Sequence, residues 1–325
     1  MDAIMQWSVY SFQLPLKTGG QRQGLVLHLK DKQEHWGEIA PFPGRSRETL
    51  DQAKDQLIAV LTNGKIGEEL FASVQFGLES TLAFPPPKGK ARLYAFLTGS
   101  PKEILQQADA AFEKGYRVVK FKINSTSKAC STDLLNALKD RFRIRVDCNN
   151  AFSFAEATSI FSPFDPSLFD YIEDPIHEMH RLPEFSHPFA LDEKVLDYTS
   201  LPLKKCRQLY GFILKPTILG GKKGCAPLIE FAKRNHWHVV FSPVFESGLG
   251  LLQIFSLAHH FQLLEHPMGL DTHRCLAEDI LFPTVDFNTP DFSLVEDLEI
   301  NTNLLQKVAH GTCELSPLRE CQTLS

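Results

Sequence analysis

A parallel α/β barrel with an α+β unit in front of it is the fold class this sequence predicts. Three observations predict it. After a proline run at Pro85-Pro86-Pro87, strand-like segments alternate with helical ones, giving about eight strands, the number that closes a barrel. Five of these strands end on charged residues, in the order Lys122, Asp147, Glu173, Asp192 and Lys215. No GxGxxG or GxxxxGKS/T loop occurs, and Gly220-Gly221-Lys222-Lys223 lacks the required spacing, which disfavours an open doubly wound sheet.

The elements follow in order. Gly24 to Leu29 reads as a strand, with Trp36 to Ala40 as its hairpin partner. Pro41-Phe42-Pro43-Gly44 is a stiff loop, because each proline fixes φ and the glycine is free to turn. Ser46 is the expected N-cap of a helix whose apolar face is Leu50, Ala53, Leu57 and Leu61. A second helix, Val74 to Leu82, ends before the proline run. Leu93 to Phe96 begins the barrel, and a helix starts at Pro101, a residue suited to the first turn. The five charged-end strands come next, then Val239 to Ser242 and Met268 to Asp271. Helices are expected at Lys222 to Arg234 and Leu249 to His259, with only a rudimentary one between Glu173 and Asp192, where Pro183 and Pro188 intervene. This divides the chain into residues 1–90, joined by part of the tail at 284–325, and a barrel at 91–283.

Composition narrows the partners. The chain has 325 residues, 22% charged and 43% hydrophobic, with a formal net charge of -5. That argues against a broad nucleic-acid-binding face but not against a small anionic substrate. No leader pattern and no apolar run of about 18 residues is present, so neither export nor membrane insertion is expected. The seven cysteines are scattered without a CxxC pair, as in a reduced, cytoplasmic protein. Cys148 reads as a buried structural thiol and the histidines as non-ligands. The oligomeric state is left open, a monomer included.

Barrel strands deliver their C-terminal ends to one mouth. A lone acid at a strand end is usually a helix cap, but three in succession between two lysines point to a metal site. Three carboxylates suit an octahedral oxygen-seeking cation such as Mg²⁺, with positions left for a bidentate substrate. Lys120 and Lys122 lie two residues apart and so share a face; their mutual repulsion is expected to lower the pKa of one of them. Lys215 would stand across the barrel. Two amines flanking a metal-bound carboxylate suit abstraction of an α-proton. A lysine Schiff base is the less economical use of the same residues.

These residues resemble the muconate-lactonising subgroup of the enolase superfamily. Lys120-Phe121-Lys122 is similar to its second-strand motif, Asp147, Glu173 and Asp192 to its metal ligands, and Lys215 to its sixth-strand lysine. Within the subgroup, the run from Trp36 to Leu50, Arg145-Val146-Asp147, Glu246-Ser247-Gly248-Leu249-Gly250-Leu251 and Gly269-Leu270-Asp271-Thr272 resemble the o-succinylbenzoate synthase family. The resemblance implies a modified (β/α)7β barrel behind an N-terminal capping domain. It implies Mg²⁺ as cofactor, with Mn²⁺ as a substitute. The implied reaction is syn dehydration of 2-succinyl-6-hydroxy-2,4-cyclohexadiene-1-carboxylate to o-succinylbenzoate in menaquinone biosynthesis. Lys122 would be the base and Lys215 the opposing cation. Arg145 would orient the site through water, and Lys120, Asn149, Ser242, Ser247 and Gly248 would support it or bind substrate.

The chain departs from that pattern in having Cys148 beside the first ligand, Gly248 after Ser247, and a compact Lys17-to-Arg22 segment. Two rival functions stay open on sequence alone: an N-succinylamino acid racemase using the same lysine pair, and a non-catalytic binding protein on the same barrel.

Overall fold

The computed structural model describes residues 4–64, 69–83, 86, 88–124, 128–294 and 298–314, with the backbone only at 128–130. Pro85 and Pro87 of the proline run, Cys321 and the last eleven residues lie outside this set, as does the side chain of Cys130.

The N-terminal sheet is antiparallel. Strands β1 (Ile4–Pro15), β2 (Gln21–Lys30) and β3 (Glu34–Ile39) form a meander. The β1–β2 turn uses Gly19 and Gly20 at φ 94° and 84°, values that favour glycine. Sequence patterning misses β1 for a physical reason. Met5, Trp7 and Val9 are buried in alternation, but the next buried residues are Phe12 and Leu14. Met5, Trp7 and Val9 pack into one buried cluster and Phe12 and Leu14, on the opposite face, into another, so no single alternation runs through the strand.

Helices α1 (Leu50–Asn63) and α2 (Ala72–Leu82) follow. The N-cap of α1 is Thr49, whose side chain and that of Gln52 form a reciprocal capping box. Ser46 is therefore not the cap; its hydroxyl accepts the Phe42 N–H at 2.9 Å and closes the turn before the helix.

The barrel sheet is parallel. After β4 (Lys90–Arg92) come β5 (Ala95–Leu97), α3 (Pro101–Glu113), β6 (Val118–Lys122), α4 (Lys128–Leu138), β7 (Arg143–Asp147), α5 (Phe154–Phe161), β8 (Phe169–Glu173) and β9 (Phe189–Leu191). Then β10 (Leu209–Leu214), α6 (Pro216–Leu219), α7 (Gly221–Arg234), β11 (His238–Phe241) and α8 (Gly248–His260) complete the repeats. The seven strands β5 to β11 stand in sequence order, and Tyr171, Ala190, Ile213 and Val240 form a separate buried cluster from the four successive strands β8 to β11. Between β8 and β9 there is only a 3-10 turn, Met179–Glu184.

The strand expected at Met268 to Asp271 is reduced to a single bridge. Met268 pairs with Leu93, its N–H bonding to Arg92 O at 2.8 Å and its carbonyl accepting from Tyr94 N–H at 3.0 Å. The chain then turns into a 3-10 segment at Asp271–Cys275. A Cβ on Gly269 would lie 1.9 Å from the Tyr94 hydroxyl, so this glycine makes room for a ring that lines the mouth.

Short strands β12 (Leu281–Phe282), β13 (Asp291–Ser293) and β14 (Glu299–Ile300) lead to β15 (Leu305–Glu314), which pairs antiparallel with β1. The N-terminal sheet thus has the order β15-β1-β2-β3.

A buried charged network joins this sheet to the barrel. Ser247 caps α8, and both its N–H and its hydroxyl donate to the Glu38 carboxylate on β3. Glu246 accepts from Thr217 and Val244. The Arg22 guanidinium donates to the carbonyls of Phe245 at 3.1 Å, Pro41 at 2.9 Å and Ala40. Burial pushes the Glu38 carboxyl from 4.5 up to about 7, with the Glu246 charge adding to it, against the Ser247 bonds and Arg22. The folded protein therefore holds a proton here that the unfolded chain releases above about pH 4.5, so stability falls as pH rises through 4.5 to 7. The total is about 3 kcal/mol. Glu38→Gln is expected to gain on the wild type between pH 5 and pH 8 in urea unfolding. Equal differences at both pH values would contradict this.

Candidate active site

The parallel register places the charged residues by itself. Lys122 pairs with Asp147 and Asp147 with Glu173, so these three lie in one row across neighbouring strands. Asp192 follows the end of β9 and Lys215 the end of β10. All five, with Lys120, line one cavity of about 410 Å³ at the C-terminal strand ends, a size typical of small-molecule sites.

Lys120 and Lys122 differ sharply. Lys120 is buried, its Nζ 2.6 Å from Glu173 Oε2 and 3.5 Å from Asp147 Oδ2. Lys122 has a side chain 55% exposed and, among the described residues, one carboxylate neighbour, Asp147 Oδ2 at 3.6 Å. Burial by itself would lower the Lys120 pKa, but Glu173 and Asp147 outweigh it and hold the ammonium well above its ordinary value. The expected depression by a neighbouring lysine is thus reversed at Lys120. On the far side, Lys215 Nζ donates to Asp192 Oδ2.

The carboxylates crowd one another. Burial pushes the Glu173 carboxyl up; Lys120 opposes this, while the charges of Asp147 and Asp192 add to it. Buried like charges of this kind call for a cation. Among the described residues, no three acidic, histidine or cysteine side chains stand close enough to enclose an ion as placed; ammonium groups occupy the intervening contacts. The donor set is nevertheless all carboxylate oxygen around one cavity, which fits a hard divalent cation.

The supporting residues divide. Asn149 lines the cavity and donates from its backbone N–H and Nδ2 to Asp147 Oδ1, at 3.2 and 2.8 Å. Ser242 also lines it. Arg145 does not. It is fully buried between the Tyr94 and Tyr171 rings, 4.9 and 4.8 Å from their centroids, and it donates to Asp170 and to Pro267 O. Its reach to the cavity is through Tyr94. Ser247 and Gly248 are likewise outside the lining: Ser247 is committed to Glu38, and the Gly248 N–H to Asp279 at 2.9 Å. Cys148 is buried, and burial drives its thiol well above the ordinary pKa, consistent with a structural role.

Sequence reasoning missed several residues. Asp174 accepts the N–H groups of Asp192 and Glu193 at 3.1 and 3.0 Å and so holds the segment after β9 in place. It has φ 44°, and Asn149 and Asn150 have φ 45° and 56°. Asn and Asp tolerate that conformation best among residues with a side chain, so their clustering just after two strands was an available signal. The loop after β3 supplies Phe42 and Arg45, and the one after β11 supplies Phe245, whose ring stacks on Phe42 at 6.0 Å. Arg45 pairs with Glu193 across the mouth.

Residues 4–84 match the family described as MenC, N-terminal domain, and residues 103–295 the family described as enolase C-terminal domain-like. The o-succinylbenzoate synthase of Pasteurella multocida (strain Pm70) is 27% identical, over 87% of this chain and 94% of that protein. That of Vibrio cholerae serotype O1 (strain M66-2) is 29% identical, over 89% and 96%. Among solved structures, the N-succinyl Arg/Lys racemase from Bacillus cereus superposes with a TM-score of 0.77 at 16% identity, covering 97% of this chain and all of that one. An enolase-superfamily member from Roseovarius nubinhibens complexed with magnesium gives 0.73 at 17% identity, covering 96% and 100%. At such identities the structural likeness speaks for the fold alone.

Proposed function

Because the chain belongs to the enolase C-terminal domain-like family, we propose that it works as an o-succinylbenzoate synthase, a carbon–oxygen lyase that dehydrates 2-succinyl-6-hydroxy-2,4-cyclohexadiene-1-carboxylate. The observation that carries this reading is the pair of lysines, Lys122 and Lys215, on either side of three carboxylates at one mouth. The relatives matched over most of the chain are named for the same product, which supports this reading.

Asp147, Glu173 and Asp192 would hold Mg²⁺, or Mn²⁺ in its place, through their carboxylate oxygens. When bound, the ion supplies Lewis-acid stabilisation of a carboxylate whose α-carbon is losing its proton. Lys122 takes that proton: its amine is the accessible one, whereas Lys120 is locked in ion pairs. Lys215 faces the developing enediolate charge as a fixed cation. Lys122 then returns its proton to the departing hydroxyl on the same face, so water leaves and the ring becomes aromatic. Lys120 and Asn149 orient Glu173 and Asp147, and Ser242 offers a hydroxyl to substrate. Residues 1–90 with β15 serve as the capping domain over a barrel at 91–283. The five described cysteines are all free, in keeping with a cytoplasmic setting. No helix among the described residues is long and apolar enough to cross a membrane.

Purified protein with Mg²⁺ is expected to convert the cyclohexadiene to the aromatic product, read by ultraviolet absorbance. Racemisation of N-succinyl amino acids without that product would replace this reading with the racemase.

A further inference from the structure

The cavity carries more charge than proton abstraction uses. Its described lining holds four cations, Arg45, Lys120, Lys122 and Lys215, against four carboxylates, Asp147, Glu173, Asp192 and Glu193. A divalent ion leaves the set two positive charges in excess with Lys122 protonated, and one when Lys122 is the neutral base, so the cavity favours an anionic ligand with more than one carboxylate.

The lysines cannot all serve that second carboxylate, because each neighbours one of the three carboxylates at the strand ends. Arg45 is placed differently. It belongs to the turn after β3, where Arg45 N–H and Ser46 N–H donate to Phe42 O at 3.0 and 2.9 Å and fix the backbone. Its guanidinium pairs with Glu193, and their side chains are 48% and 27% exposed. The rim around it is apolar, with Phe42, Val195, Leu196 and Phe245. An ion pair this exposed contributes little to stability and is open to exchange. A guanidinium offers a planar fork that a carboxylate fills with two parallel hydrogen bonds.

We propose that Arg45 is a specificity-determining residue that receives the remote carboxylate of the substrate, which displaces Glu193 from it. This rests on the dicarboxylate reading above and adds to it the residue that selects for the second carboxylate. Glu193 then acts as a resident competitor: a monocarboxylate leaves the Arg45–Glu193 pair in place and gains nothing from it.

The test is calorimetric binding to the full chain with Mg²⁺. The probes are o-succinylbenzoate and 2-butanoylbenzoate, which carries a methyl in place of the remote carboxylate. Arg45→Met is expected to weaken o-succinylbenzoate by about 10–100-fold, the range for hydrogen bonds to a charged group, and to leave 2-butanoylbenzoate within about twofold of the wild type, since it makes no such bond. Arg45→Lys should recover part of the loss, and Glu193→Gln should tighten o-succinylbenzoate. If the pair merely latched the loop, Arg45→Met and Glu193→Gln would weaken both ligands alike, and that result overturns the proposal. So does unchanged binding in Arg45→Met. A wild-type protein that forms aromatic product while Arg45→Met discriminates as before sinks this inference alone; one that forms no product and binds neither ligand removes the proposed reaction as well.

Discussion

Alanine at Lys122 is expected to lower turnover by about 10²–10⁴-fold, the usual contribution of a positioned general base, with Mg²⁺ binding little changed. The choice of this lysine over its neighbour is electrostatic. Lys120 sits buried between Glu173 and Asp147, which hold its proton firmly. A base must release and accept a proton near the working pH, and an ammonium held well above its ordinary value does so poorly. Lys122 has an exposed end and one carboxylate at 3.6 Å. Exchange of the substrate α-hydrogen with solvent deuterium separates the roles. Lys122→Ala and Lys122→Arg should both lose exchange, the second despite its retained charge. Exchange persisting in Lys122→Ala would assign the base elsewhere.

Glu173→Gln should be the most damaging change among the three carboxylates, acting on cation binding and folding together. Glu173 is the more deeply buried partner of Lys120, at 2.6 Å. Removing one member of a buried pair leaves the other charge uncompensated, at a cost of about 3–5 kcal/mol. The lower end applies here, because Asp147 remains 3.5 Å from the same ammonium. Turnover should vanish, and Mg²⁺ titration should show binding weakened by at least about tenfold, the scale of a single charge-assisted contact. Thermal unfolding measured alongside separates the two effects. A variant as stable as the wild type and binding Mg²⁺ normally would place the cation elsewhere.

Much of this arrangement is legible in the sequence because it follows from one rule of parallel sheets. When strands run the same way, residues at their ends share a mouth, so Lys122, Asp147, Glu173, Asp192 and Lys215 could be grouped by counting alone. What escaped depends on contacts between distant segments. Nothing local in Ser247 says that a carboxylate from β3 will claim its hydroxyl. Arg145 reads as a site residue by its position two before Asp147 and shares its face, yet it lies deeper along the strand, where the Tyr94 and Tyr171 rings enclose it. The cap of α1 is Thr49 and not Ser46 because the turn after β3 engages the Ser46 hydroxyl, while Gln52 three residues on completes a capping box with Thr49, a signal present in the sequence. The last barrel strand is reduced to one bridge at Met268, and beside it Gly269 gives its space to Tyr94.

The pairing of β1 with β15 joins segments about three hundred residues apart. On a ribosome, β1, β2 and β3 emerge early, and the outer side of β1 then offers a row of unpaired amides and carbonyls, the feature that templates aggregation. Only when residues 305–314 leave the exit tunnel is that row covered, and the covering strand is itself short of buried side chains and carries Lys307 and His310, which discourage further stacking. Strand β15 thus works as a seal, and nascent chains halted before it should be the species that chaperones capture.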